Sequence, residues 1–321
     1  MPSAIKYLAF LCAAFLLATL SNPVVAQSGD DIRYDTPSFG GFVGADHWDV
    51  DKQYDQDGET REFFGTSMEW SLRIRAGGWY RVADSEIGGR PTSFKGEAGL
   101  SYLARKFKQD ENSNADDLSA SSIENIYFGV KGVSRLNDRA RIGIGFRYYH
   151  DLVGSDNDVN LSDEQNAIVP SLRFNYTIND KLDLDLGWKC AYTLEGKYDF
   201  TGSKKTNGDL DNTFDMGNYQ NFNVGGSYTV VQNDSYSLDI GASLNTILRS
   251  NSKFGGNEFD NSSGRLVSIG PSFKLKTERG LTVRFRGQQD EYGLQSSLLS
   301  VNGKNFNKSS KDFGVDVILK Y

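Results

Sequence analysis

Residues 182–194 read LDLDLGWKCAYTL, and every second position is apolar or aromatic. Leu182, Leu184, Leu186, Trp188, Cys190, Tyr192 and Leu194 alternate with Asp183, Asp185, Gly187, Lys189, Ala191 and Thr193. A period of two is the signature of a β-strand, whose successive side chains leave on opposite faces. Here it sorts lipophilic groups from charged ones. Ala140, Ile142, Ile144, Phe146 and Tyr148 do the same against Arg141, Gly143, Gly145, Arg147 and Tyr149.

Working outward, roughly twelve such segments follow residue 38. They lie near 38–50, 64–82, 94–107, 123–135, 139–150, 166–178, 181–194, 219–231, 235–248, 265–277, 281–288 and 312–321. None reads as an amphipathic helix. Tight polar turns fall at Asn137-Asp138, Asn179-Asp180, Gln232-Asn233-Asp234 and Glu278-Arg279-Gly280. Long loops alternate with them, near 51–62, 108–122, 151–165, 195–218, 249–264 and 289–311. Short turns on one rim and long loops on the other are what a transmembrane barrel of antiparallel strands shows. One connection departs, because Ala83 to Ser93, with Gly88-Gly89 and Pro91, is long for the short-turn side.

Composition points the same way. The chain has 321 residues, 38% hydrophobic, and its mean hydropathy of −0.49 excludes a bundle of membrane-spanning helices. It holds 20 Phe and 16 Tyr with 34 Gly but only 6 Pro and 3 Met, the balance of many strands joined by polar loops. A formal charge of −7 argues against a nucleic-acid partner bound through net charge, and 2 Cys cannot build a disulfide framework.

The first 26 residues are an address rather than part of the fold. One positive side chain in Met1 to Lys6 precedes an uncharged, mostly apolar run from Tyr7 to Leu20, broken by Asn22-Pro23. Val24-Val25-Ala26 then places small residues before a cut ahead of Gln27. These are the three regions of a secretory signal, too short to span a bilayer. Cys12 lies inside the run and not at its end, which excludes a lipoprotein site. Residues 27–37 are expected to be a short periplasmic lead with no passenger domain, and residues 38–321 the barrel.

A sheet in hydrocarbon must close, since each unpaired backbone amide there costs several kcal/mol. Aromatic residues fall near the ends of the apolar faces, with Tyr80, Phe94, Tyr176, Tyr228, Tyr236 and Tyr321 at the short-turn rim. Tyr102, Phe128, Tyr148, Tyr192 and Phe222 fall at the long-loop rim, and Trp188 belongs to the same lipid-facing set. Two aromatic belts mark two membrane interfaces. A secreted β-sandwich would need neither the belts nor the asymmetry of its turns.

In the last segment Phe313, Val315, Val317, Leu319 and Tyr321 alternate up to an aromatic carboxylate, with Gly314, Asp316, Ile318 and Lys320 between. This resembles the terminal strand of bacterial outer-membrane β-barrel proteins, the porin-like class. The resemblance implies an outer-membrane location, contact with its lipid and lipopolysaccharide, and recognition of residues 312–321 by the insertion machinery. Ile318 departs from the pattern, being apolar on the inner register.

If the apolar positions face lipid, the others line the interior. The basic ones are Arg73, Arg75, Arg81, Lys95, Arg105, Lys131, Arg141, Arg147, Arg173, Lys189, Lys274, Lys276, Arg284 and Arg286. Against them stand Glu69, Glu97, Asp183, Asp185, Asp239 and Asp316, so the lining is net positive in an acidic chain. The compensating charge sits in the long loops, as in Asp51, Asp55, Asp57, Glu59 and Glu62. The basic groups crowd strands two to six and ten to eleven, and the three Asp of strands seven to nine stand apart from them. Such a lumen lowers the barrier to anions and makes the barrel a narrow passive channel for small acidic solutes. The competing reading is a structural or surface-interaction barrel, in which Arg and Asp pair across the lumen and plug it. Small inner residues such as Gly143, Gly145, Gly225, Ser227, Gly241, Ser243, Ser268 and Ser272 argue for space.

Chemistry is sparse. A hydrolase would need a nucleophile, a base and an orienting group within reach. The two His, His47 after Asp46 and His150 before Asp151, are expected near the long-loop rim, where an Asp/His site is the less favoured enzymatic reading. Cys190 reads as a small lipid-facing apolar residue. Acidic loop clusters such as Ser155-Asp156-Asn157-Asp158 lack EF-hand spacing and read as a solvated, repulsive surface. No motif calls for a cofactor or a metal.

Overall fold

In a computed structural model, residues 38–54, 66–109, 118–152, 166–194, 196–197, 213–215, 217–251, 253–254, 257–258, 264–294 and 306–320 are described. The signal segment, the lead to Pro37 and Tyr321 lie outside them. The long strands are β1 (Phe39–Tyr54), β2 (Thr66–Ile87), β3 (Arg90–Gln109), β4 (Leu118–Arg135), β5 (Ala140–Asp151), β6 (Ala167–Asn179) and β7 (Leu182–Thr193). Two short strands, β8 (Gly196–Lys197) and β9 (Thr213–Asp215), precede β10 (Tyr219–Gln232) and β11 (Tyr236–Arg249). Two more, β12 (Lys253–Phe254) and β13 (Asn257–Glu258), precede β14 (Gly264–Thr277), β15 (Leu281–Leu294) and β16 (Phe306–Lys320).

The twelve long strands form one closed antiparallel barrel, each paired with its neighbours along the chain and β1 with β16. Closure runs from Gly40 opposite Lys320 to Tyr54 opposite Asn307. No sheet edge is therefore left along the wall, as a bilayer requires. The four short strands form a separate sheet in the order β13-β12-β9-β8, so the two long loops after β7 and β11 pair with each other. The loop composition gave no sign of this.

The short turns share one device. Asn137 Oδ1 accepts from the amides of Arg139 and Ala140, both at 2.8 Å. Asn179 Oδ1 accepts from Lys181 at 2.9 Å and Leu182 at 3.0 Å. Asn233 Oδ1 accepts from Ser235 at 2.9 Å and Tyr236 at 3.0 Å. Each Asn-Asp pair is thus an Asx turn whose side chain satisfies the first amides of the returning strand. The connection that looked long at 83–93 is a correction: β2 and β3 continue as a ladder to Ile87 opposite Arg90, and the turn is only Gly88-Gly89. Both glycines have positive φ, 58° and 72°, as a primed hairpin turn demands.

The sorting of faces holds around the barrel. Leu184, Leu186, Val224, Ile240, Leu244, Ile269, Phe285 and Phe313 are exposed on the outer wall, while Lys131, Arg147, Lys189, Asp239 and Asp316 are buried on the inner one. Tyr80, Phe94, Phe128, Tyr176, Tyr192, Phe222, Tyr228 and Tyr236 are likewise exposed outside. Tyr102, Tyr148 and Trp188 are half-buried, and the Trp188 indole donates to Gln220 Oε1 at 3.4 Å. Cys190 shares the Trp188 face and is buried there, a small apolar residue of the wall.

Replacing Asn137, Asn179 and Asn233 by Ala should cost about 1 kcal/mol at each turn. The check is the urea midpoint of the barrel refolded in phospholipid vesicles, which should fall stepwise from the single to the triple variant.

Candidate functional site: the inner face of the barrel

A β-bulge decides part of the inner surface. Ser101 opposes Asn125 and Tyr102 opposes Ile123, so Glu124 is the extra residue and the parity of β4 changes there. Past it Tyr127, Lys131 and Val133 are buried on the inner side, and Glu124 itself turns in. Strict alternation therefore misses Glu124, which accepts from Arg73 and, through Oε2, from Ser101 at 2.8 Å.

At the seam where the barrel closes, five ionised groups from four neighbouring strands meet. Arg75 reaches Asp46 at 2.5 Å and Asp316 at 3.5 Å. Arg286 reaches Asp46 at 2.7 Å and Asp316 at 3.4 Å, while Arg284 lies 3.8 Å from Asp316. The Asp316 side chain is completely buried. Two glycines make the room: a Cβ on Gly44 would sit 2.4 Å from Asp316 Oδ1, and one on Gly314 would sit 2.7 Å from Asp46 Oδ1. Three guanidiniums around two carboxylates leave the cluster with a net positive charge.

Elsewhere the pairs run along the wall between strands that are adjacent or one apart. Arg147 on β5 holds Glu97 on β3 bidentately, Nη2 to Oε2 at 2.9 Å. Arg173 grips Asp185 at 2.6 and 2.7 Å. Asp239 takes Lys276 at 2.6 Å, Lys274 at 3.6 Å and the Thr229 hydroxyl at 2.9 Å. Asp183 accepts from Thr177 at 2.7 Å, and Arg141 donates to Asn175 at 3.4 Å. Lys95, Lys131 and Lys189 are buried on the same face and add to its positive charge.

Between these groups sits an apolar cluster that alternation did not single out. Phe42, Tyr127 and Ile318 are buried together, with Trp79 and Tyr149 packed against them. The Tyr127 and Tyr149 rings lie 5.4 Å apart, and the Arg147 guanidinium stacks 5.2 Å from the Tyr127 centroid. Gly77 and Gly99 admit the Tyr127 side chain, since a Cβ at Gly77 would come within 2.7 Å of its hydroxyl and one at Gly99 within 2.6 Å of its ring. Ile318, anomalous as an inner residue of the last strand, is explained by this cluster.

The two histidines lie on different strands, β1 and β5. His47 opposes Phe313, which is exposed on the outer wall, so His47 shares that outer face while Asp46 points in. His150 bonds Asn166 Oδ1 at 2.8 Å and stacks on Tyr148. His47 and Asp46 leave on opposite faces of β1, so these two sequence neighbours do not pair with each other.

No protein-family model matches the sequence, and no curated protein does either. Solved structures do match. An outer membrane channel from Pseudomonas putida F1 is similar over 91% of this chain and 98% of its own, with a TM-score of 0.57 and 12% identity. The β domain of the Bordetella autotransporter BrkA matches over 89% of this chain and 100% of its own, with a TM-score of 0.51 and 8% identity. The transport unit of the autotransporter AIDA-I from Escherichia coli covers 96% and 97%, with a TM-score of 0.50 and 10% identity. The likeness is one of fold, and with the apolar outer wall it makes this chain an outer-membrane β-barrel.

Removing one member of a buried ion cluster strands the others. Asp316→Ala should therefore destabilise the barrel by about 3–5 kcal/mol, read from the temperature at which its mobility shifts on unheated gels. Asp185→Ala, nearer solvent, should cost less.

Proposed function

We propose that the barrel is a narrow passive channel favouring small anionic solutes. The observation that carries this reading is the inner face itself. Arg73, Arg75, Arg141, Arg147, Arg173, Arg284, Arg286, Lys95, Lys131, Lys189, Lys274 and Lys276 stand against Asp46, Glu97, Glu124, Asp183, Asp185, Asp239 and Asp316. A low-dielectric wall focuses that excess onto the lumen, lowering the entry cost of an anion and raising that of a cation. Asn221, Asn223, Asn245 and Ser268 on β10, β11 and β14 add neutral hydrogen-bonding groups to the same lining. The chemistry is conduction, with no bond made or broken. The terminal strand is the segment by which the insertion machinery would take up the chain.

A second reading is favoured by specific contacts. The carboxylates neutralise most of the guanidiniums, and the Phe42–Tyr127–Ile318 cluster occupies inner space. A closed structural barrel, its acidic loops meeting a partner or bridging lipopolysaccharide through divalent cations, would look the same on the wall.

Planar bilayers separate the two. A channel under a salt gradient should show a reversal potential of the sign for anion preference, and Arg141→Gln with Lys131→Gln should move it toward zero. Arg147 is a poorer target than its inner position suggests, because its loss strands Glu97. Cation preference, or no conductance from protein shown to be folded, contradicts the proposal.

A further inference from the structure

We propose a binding site for one acyl chain of a glycerophospholipid on the outer wall, where β2 to β5 form a groove of about 810 Å³. Its floor is made of Gly78, Gly96 and Ala98, and Val82, Phe128 and Phe146 rise around it. The dip exists because three neighbouring outward positions carry no side chain larger than a methyl. At Gly96 the nearest atom a Cβ would meet is Val82 Cγ2 at 3.7 Å, an ordinary contact, so the space above it is open.

The membrane decides what fills it. The groove is shallow, open along its length and continuous with the lipid-facing wall, and its lining is almost wholly apolar. An apolar recess beside acyl chains takes up an acyl chain, because each methylene buried there is favourable. Height in the bilayer identifies the lipid. Tyr80 opposes Phe39 at the start of β1, and Val82 lies beyond it toward the Gly88-Gly89 turn, so the groove begins on the short-turn side and runs up the wall to Phe128 and Tyr148, as a chain anchored at that interface would. Short turns face the periplasm in this class, and the leaflet there is phospholipid rather than lipopolysaccharide.

The rim of the same sector supplies charge for a phosphate. Arg81 is spent on Asp84 and Arg135 on Asp138. Arg90 instead donates to the Leu136 carbonyl at 2.7 Å and Arg139 to the Ile178 carbonyl at 3.3 Å. Both guanidiniums are exposed and rest on neutral oxygens, which leaves their charge for a headgroup at the interface.

The site rests on the barrel lying in the outer membrane but not on its conducting anything, so loss of channel activity leaves it untouched. The test is native mass spectrometry of the full-length protein in mild detergent, titrated with palmitoyl-oleoyl phosphatidylglycerol. One tightly held lipid per barrel is expected. Gly96→Leu with Ala98→Leu should weaken its retention by about tenfold or more, while Gly226→Leu, an outward glycine on β10, should not. If the filled groove folds poorly, judged by mobility on unheated gels, Arg90→Gln with Arg139→Gln should lower retention without touching the wall. Unchanged retention in both double variants overturns the proposal. So does equal loss in Gly226→Leu, stronger retention of lipid A, or a protein dimer that separates when the groove is filled.

Discussion

Hydrocarbon offers no hydrogen bonds, so a strand crossing it must find its partners in neighbouring strands. In this chain the obligation is met only when β1 returns to β16, and the closing contact is not left to backbone pairing alone. Asp46 and Asp316 from the two closing strands share Arg75, Arg284 and Arg286 from the strands on either side. Gly44 and Gly314 exist where a Cβ would press on those carboxylates. The ends of the chain are thus joined by a backbone ladder on the wall and an ionic cluster inside it. Charged groups cannot be moved outward without meeting lipid, which fixes the register of closure.

From that closure follows the division of labour between faces. The outer wall is apolar and needs no packed core behind it, so Phe, Leu and Val that a soluble protein would hide stay exposed. The inner wall carries the charge, but most of it is matched at close range along the wall. What remains is a modest positive excess against a partly apolar interior. On the channel reading proposed above, an excess of this kind would bias the choice of ion more than it attracts solutes strongly.

Much of this was legible in the residues. Period-two alternation gave the strands, the Asn-Asp pairs gave the turns, and the last ten residues gave the class, because each depends only on neighbours along the chain. On regular strands Arg147, Arg173, Arg284 and Arg286 share a face with Glu97, Asp185 and Asp316, a grouping that depends only on period two. Alternation failed at irregularities. The bulge at Glu124 changes parity without a sequence marker, and the bulge between Arg81 and Ala83 disguised a long ladder as a loop. Asp46, noted in the sequence only as the neighbour of His47, is an inner-face partner of Arg75 and Arg286. The cluster of Phe42, Tyr127 and Ile318 was invisible because it joins residues some 80 to 280 positions apart, brought together only by closure. Pairing of the loops after β7 and β11 was hidden for the same reason.

The account stands on which way β7 faces, and one measurement reads that directly. With Cys190 replaced by Ser, single cysteines placed at residues 183 to 188 would carry a fluorophore in reconstituted vesicles. Quenchers fixed on acyl chains should dim labels at 184, 186 and 188, and a water-soluble quencher should reach those at 183, 185 and 187. The opposite phase, or no alternation at all, would contradict the assignment of lipid to one face and the charged lumen to the other.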